Sequence, residues 1–279
     1  MTLSRGAIND LLQRHDLAPR RALGQNFLAD PNTVRKIVRL AQIDNTDSVV
    51  EIGPGLGSLT LALAETGAQI TAIEADGALL GPLSEVLKGS DVTVVHADAT
   101  VFDMWVPALG DGPVTMVANL PYNVGTRLVA DVLDFVPAVE RLVVMVQEEV
   151  GKRMMATAGS SDYGALSVKV ASWATATRLC KVPSTVFVPK PRVESMVVDI
   201  RRHVEPAIPH TVDRGRVFDL VRAGFGQRRK MLRRSLAGRV SFEQFEAAEV
   251  RPDARAETLD LSDWVRLAEA TEGPSGAND

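Results

Sequence analysis

Asn119-Leu120-Pro121-Tyr122 is the most specific chemical pattern in the chain. Asn119 offers an amide oxygen. Pro121 fixes its own φ and restricts Leu120 to extended geometry, which can aim the Leu120 carbonyl outward. Two such acceptors can hold both hydrogens of an exocyclic amine. Tyr122 adds a flat π face for a base, and base–aromatic stacking contributes roughly 1–3 kcal/mol. A plain strand–turn–helix connection with an Asx turn is the competing reading of these residues.

A second pattern is the turn Glu51-Ile52-Gly53-Pro54-Gly55-Leu56-Gly57. Gly53 and Gly55 let backbone approach a ligand without a Cβ in the way, and a helix N-terminus beyond the turn favours a negative group. The dinucleotide fingerprint G-x-G-x-x-G is not met: the third glycine comes one residue early, and Ser58 stands where the fingerprint has glycine. Pro54 also removes an N–H that could donate to a pyrophosphate. A smaller anion, such as an amino-acid carboxylate, fits better than NAD. Glu74 follows Gly53 by 21 residues, where an acid can accept both hydroxyls of a ribose. Asp98, in His96-Ala97-Asp98-Ala99, can accept a hydrogen bond from an adenine amino group.

These residues need a scaffold that brings strand ends together. Short β-rich runs over 48–52, 69–74, 92–96, 114–118 and 141–146 alternate with helical stretches over 58–65, 78–88, 124–135 and 147–155. That alternation predicts βαβ units and a mostly parallel sheet covered on both faces, with ligands at strand C-termini. The runs lack in/out alternation, as strands buried on both sides do. Two more β-like stretches are expected at 166–171 and 195–201, with a proline-rich loop over 183–191. Beyond Glu205 the period becomes helical, over 212–225, 228–236 and 262–270, with Ser262 as an N-cap, and GPSGAND reads as a frayed tail. The expected organisation is an α/β domain over 1–203 and a small helical domain over 204–279.

The chain has 279 residues, 46% of them hydrophobic, which suits a globular fold and is too apolar for disorder. One cysteine, Cys180, excludes an intrachain disulfide, and the four histidines form no HxxxH pair, so no metal is expected. The N-terminus lacks the apolar segment of a secretory signal, and a cytoplasmic location is expected. The net charge of −4 hides an uneven distribution. Residues 1–39 carry net +4 and residues 40–188 net −9, whereas 189–239 hold thirteen Lys/Arg against five Asp/Glu. Arg228, Arg229, Lys230, Arg233 and Arg234 cluster in one stretch, which suits a polyanion partner; a solvated helix face is the bland alternative.

The EIGPGLG turn, Glu74, the HADA step and NLPY together resemble class I S-adenosylmethionine-dependent methyltransferases that act on an adenine amino group. Further stretches narrow the likeness: Gly24-Gln25-Asn26-Phe27-Leu28, Gln147-Glu148-Glu149-Val150, the run from Phe187 to Ser195 (FVPKPRVES), and Gln227-Arg228-Arg229-Lys230. With these the chain resembles, from about residue 20 to about 268, the bacterial small-subunit rRNA adenine dimethyltransferases, whose loss gives kasugamycin resistance. The resemblance implies a Rossmann-like class I fold using S-adenosyl-L-methionine, without metal and as a monomer. It implies that Gln25, Asn26, Leu28, Gly53, Gly55, Glu74, Asp98 and Asn119 bind the cofactor. Asn119, Leu120, Pro121 and Tyr122 would hold the target adenine, with Tyr122 and Phe187 stacking on its two faces. The implied substrate is a pair of adjacent adenosines in a hairpin loop near the 3′ end of 16S rRNA, in a small-subunit precursor. One departure stands out: Arg20-Arg21-Ala22-Leu23 lacks the Lys and aromatic residue expected before GQNFL. A large-subunit rRNA adenine methyltransferase shares the NLPY core, and a non-catalytic assembly factor on the same fold is a further alternative.

Overall fold

The structure, a computed structural model, describes residues 2–20, 23–122 and 124–272. GPSGAND, and Arg21 and Ala22 of the departing segment, lie outside the described residues.

The chain divides into two compact units, Met1–Gly151 with Ala176–Arg202, and Lys152–Thr175 with His203–Asp279. The stretch Lys152–Thr175, expected in the first domain, therefore belongs with the second unit. In chain order the elements to the first sheet edge are α1 (Arg5–Arg14), β1 (Phe27–Leu28), α2 (Pro31–Ala41), β2 (Ser48–Ile52), α3 (Ser58–Ala64), β3 (Gln69–Glu74), α4 (Leu80–Val86) and β4 (Val92–His96). Then come β5 (Val114–Asn119), α5 (Gly125–Phe135), β6 (Val139–Gln147), α6 (Glu148–Met155), α7 (Ala165–Ala171), β7 (Ala174–Val182), β8 (Phe187–Val188) and β9 (Ser195–Arg202). The remainder is helical: α8 (Arg214–Gly226), α9 (Leu232–Ser235), α10 (Phe242–Ala247) and α11 (Leu261–Glu272).

A seven-stranded sheet runs β4-β3-β2-β5-β6-β9-β7. Strands β2 to β6 pair in parallel, and β9 joins β6 antiparallel. The register aligns Ile52 with Ile73, and Glu74 with His96. The C-terminal ends of β2, β3, β4 and β5 thus share one edge, and that edge carries Gly53, Glu74, Asp98 and Asn119. Strands β2, β3, β5 and β6 are buried almost throughout, as their unbroken apolar runs require. Strand β4 departs from that expectation: it is the sheet edge and its residues are largely exposed.

Local signals explain the flanking helices. In α2 the Asp30 carboxylate caps the Thr33 N–H at 3.0 Å, Pro31 opens the first turn, and Val34, Ile37, Val38 and Ala41 form the buried stripe. The stretch at 166–171 is a helix, not a strand. Its β-branched composition is overridden by the Ser167 hydroxyl, which accepts the Gly164 N–H at 3.1 Å, and by burial of Leu166, Val168 and Val170. The next strand is β7, a stretch where the sequence predicts no element. Helix α11 is capped by Asp260 rather than Ser262: Asp260 Oδ1 accepts the Asp263 N–H at 3.0 Å. The second unit packs around fully buried Trp264, Leu232 and Phe245. No helix among the described residues is long and apolar enough to cross a membrane.

Candidate active site

The strand ends open onto a cavity of about 410 Å³ that belongs wholly to the first unit. Its wall includes Gln25, Asn26 and Leu28 from the N-terminal arm, Gly53 and Gly55 after β2, Glu74 at the end of β3, Asp98 after β4, and Asn119 to Tyr122 at the end of β5. Every cofactor-binding residue expected from the sequence therefore meets in one place.

The glycine turn takes left-handed backbone, with φ of +69° at Gly53 and +60° at Gly55. A Cβ on Gly55 would also stand 3.0 Å from the Phe27 ring, so arm and turn approach each other as only glycine allows. Glu74 is buried and held on both oxygens, Oε2 accepting the Gly55 N–H at 3.0 Å and Oε1 the Asp76 N–H at 2.8 Å. Burial raises its pKa, and those backbone donors oppose the rise. Asp98 is exposed, and its Oδ1 accepts the Thr100 N–H at 2.9 Å and the Thr100 hydroxyl at 2.8 Å.

Asn119 donates from Nδ2 to the Asn26 carbonyl at 3.0 Å. This fixes the amide and makes its oxygen the acceptor end. Leu120 is buried and donates its N–H to the Met145 carbonyl at 3.1 Å, which locks the turn to β6. The Pro121 carbonyl accepts the Gly125 N–H at 2.8 Å and starts α5. The Tyr122 hydroxyl lies 2.7 Å from Ser195 Oγ on β9, and burial raises its pKa.

Two expectations need correction. The Phe187 ring is fully buried beside Leu28, Ile37 and Val38 and does not line the cavity, because β8 pairs with β1 and turns it into the core. Tyr122 is thus the aromatic side chain of NLPY at the cavity, and the second stacking face is not Phe187 in this structure. The basic run is not one helix over 228–236: 228–230 form a turn, and α9 covers only Leu232–Ser235. Within it Arg228 is held internally, by Glu257 at 2.8 Å and by the Ser161 carbonyl at 2.7 Å. Arg229, Lys230, Arg233 and Arg234 are exposed.

Other residues at the site carried no sequence assignment. Glu51 lies in the glycine-turn motif and is 1% exposed, with Oε2 lacking a hydrogen-bond partner among the described residues. Burial pushes its pKa up to about 8; the Thr60 hydroxyl opposes this and the Glu74 charge adds to it. The Ser58 hydroxyl, also buried on this wall, likewise lacks a partner among the described residues. Asp76, two residues beyond Glu74, is a further buried wall carboxylate. The E-x-D spacing was the available signal, but only the fold shows what Asp76 holds. Among the described residues no group of three or more His, Cys, Asp or Glu is placed to hold a metal ion.

Successive strand-end carboxylates on a parallel sheet, closed by an Asn-Leu-Pro-Tyr turn, form the architecture of the class I methyltransferases. Residues 17–272 match the family model described as ribosomal RNA adenine dimethylase, and the chain belongs to that family. It is similar to the ribosomal RNA small subunit methyltransferase A of Kineococcus radiotolerans, 43% identical over 99% of this chain and 93% of that one. It is 45% identical to the protein of the same name from Leifsonia xyli subsp. xyli, covering 94% and 95% of the two chains. Among solved structures, a dimethyladenosine transferase from Plasmodium falciparum shares the fold, with a TM-score of 0.72 at 23% identity over 86% of this chain and 95% of the other. A 23S rRNA methyltransferase aligns with a TM-score of 0.66 at 26% identity, over 88% of this chain and 100% of the other.

Proposed function

We propose that this dimethyltransferase uses S-adenosyl-L-methionine to dimethylate the 6-amino groups of two adjacent adenosines in a hairpin loop near the 3′ end of 16S rRNA, in the cytoplasm and on a small-subunit precursor. Support for the small subunit comes from relatives named as small-subunit methyltransferases that match nearly the whole chain. Support for the cofactor comes from the cavity. Its wall holds Glu74, Asp76 and Asp98, an acidic set suited to a cationic ligand with a ribose and an adenine. The unpartnered buried oxygens of Glu51 and Ser58 are the atoms a polar ligand group would satisfy. When bound, S-adenosylmethionine supplies a methyl group made electrophilic by its sulfonium.

The observation that carries the chemistry is the Asn119–Asn26 hydrogen bond at 3.0 Å, which sets the Asn119 oxygen as an acceptor. An adenine amino group is a weak nucleophile because its lone pair is delocalised into the ring. Asn119 Oδ1 and the Leu120 carbonyl accept its two hydrogens, favour a pyramidal nitrogen, and face the positive charge that develops there. The proton leaves after transfer, so none of the cavity carboxylates is needed as a base. Tyr122 supplies a stacking face, held in orientation by Ser195. The target base leaves its stack to reach this site, at lower cost from a loop than from a duplex. Positioning supplies much of the rate. Arg229, Lys230, Arg233 and Arg234 contact the RNA backbone.

The test is methylation of small-subunit precursors by purified protein, read by mass spectrometry of 16S rRNA. Asn119→Ala is expected to lose about 10²–10³-fold in methyl transfer while RNA binding persists. Normal dimethylation by that variant overturns the assignment. Transfer of label to large-subunit precursors instead would make 23S rRNA the substrate.

A further inference from the structure

Asp76 sits at the meeting point of the cavity and the N-terminal arm, and its side chain is 5% exposed. Its Oδ1 accepts from Arg20 Nη1 at 3.0 Å and from the Ala78 N–H at 3.1 Å. Its Oδ2 accepts from Gln25 Nε2 at 2.8 Å. The other end of the Gln25 amide, Oε1, accepts the Arg20 N–H at 2.8 Å, so Gln25 is spent on the clamp at both ends. The backbone N–H of Asp76 meanwhile donates to Glu74 Oε1 at 2.8 Å. One residue therefore grips the arm with its carboxylate and the ribose-side acceptor with its backbone.

Charge explains why the arm is needed. Glu74 and Asp76 are adjacent buried carboxylates and repel each other. Arg20 brings a cation to Asp76 from 56 residues away, and Gln25 adds one hydrogen bond to the same carboxylate while its other amide end ties back to Arg20 within the arm. Hydrogen bonds to an ionised carboxylate are roughly twice as strong as neutral ones, and more so away from water. Further along the arm, Asn26 accepts from Asn119, and Phe27 packs against the glycine turn. The arm is thus pinned at the ribose side by Asp76 and at the methyl-transfer side by Asn119.

We propose that Asp76 is a positioning residue that latches the N-terminal arm over the cavity and couples it to Glu74, so that cofactor release requires the Asp76–Gln25–Arg20 contacts to break. The proposal rests on reading the cavity as the cofactor site.

The experiment measures release of S-adenosylhomocysteine and S-adenosylmethionine from the full chain. Asp76→Asn removes the charge at constant size and is expected to speed dissociation about 10-fold or more. Gln25→Ala is expected to do the same, and the double variant to be no faster than the faster single one, since both break one contact. Trypsin cleavage after Arg20 should slow when cofactor binds the wild type and stay fast in Asp76→Asn. Should Asp76→Asn fold poorly, Arg20→Gln with Gln25→Ala breaks the same latch from the arm side and carries the same expectation. Unchanged dissociation in these variants, or rates that multiply in the double variant, overturns the latch while leaving the cavity assignment standing. A wild type that retains neither compound overturns both.

Discussion

Glu51 gives a prediction whose size follows from its surroundings. The carboxyl is enclosed, Oε2 has no partner among the described residues, and its pKa rises from 4.5 to about 8 on folding. An acid whose folded pKa exceeds its unfolded pKa binds more protons when folded, so its stability contribution falls as pH rises from 4.5 to 8 and is level beyond. Every tenfold change in proton affinity corresponds to about 1.4 kcal/mol, so the full penalty above pH 8 is about 5 kcal/mol, of which less than about 1 kcal/mol is present at pH 5. Glu51→Gln keeps the shape and cannot ionise. Relative to wild type, the variant should therefore gain about 4 kcal/mol between pH 5 and pH 8.5. Urea unfolding of both proteins across that range isolates the effect, because every other titrating group is shared. Parallel stability–pH curves for the two proteins would refute the reasoning, since they would show that Glu51 ionises as easily folded as unfolded.

Other outcomes follow from the same contacts. Replacing Arg229, Arg233 and Arg234 with Ala should reduce the slope of log RNA affinity against log salt by about 2–3 and leave S-adenosylmethionine affinity unchanged, as fluorescence titrations would show. Arg228→Ala should instead lower the second unit's stability by about 1 kcal/mol or less, because its pair with Glu257 is partly solvated. Phe187→Ala should cost about 3–5 kcal/mol in denaturant unfolding, as a filled core position does; a stable but inactive variant would return Phe187 to the base-stacking role. Ser195→Ala leaves the Tyr122 hydroxyl without its partner and should raise the RNA KM several-fold with a stability loss of about 1 kcal/mol.

The chain makes legible the residues that act where they stand and conceals those that act through distant partners. The sheet was legible because β2, β3, β5 and β6 are buried on both faces and their apolar runs cannot be mistaken for solvated helix. Gly53, Glu74, Asp98 and Asn119 were legible because each closes a strand, and parallel strands bring their C-termini to one edge. Period alone could not decide 165–171, where Leu166, Ser167, Val168 and Val170 are buried in a pattern that fits neither a strand nor a helix period cleanly and a hydroxyl at Ser167 settles the helix. Phe187 escapes for a related reason: its motif is local, but its burial depends on β8 pairing with β1, about 160 residues earlier in the chain. The roles of Asp76 and Glu51 were hidden because neither the E-x-D spacing nor the glycine-turn motif shows what lies across the cavity. Asp76 matters through Arg20 and Gln25, and Glu51 through its burial on the cavity wall and the charge of Glu74. An acidic pocket inside an RNA-modifying protein also looks mistaken until the two ligands are separated. The carboxylates suit a cationic cofactor, whereas the exposed arginines of 229–234 suit the polyanion. A net charge of −4 averages an acidic stretch over 40–188 and a basic one over 189–239, and only the distribution along the chain exposes them.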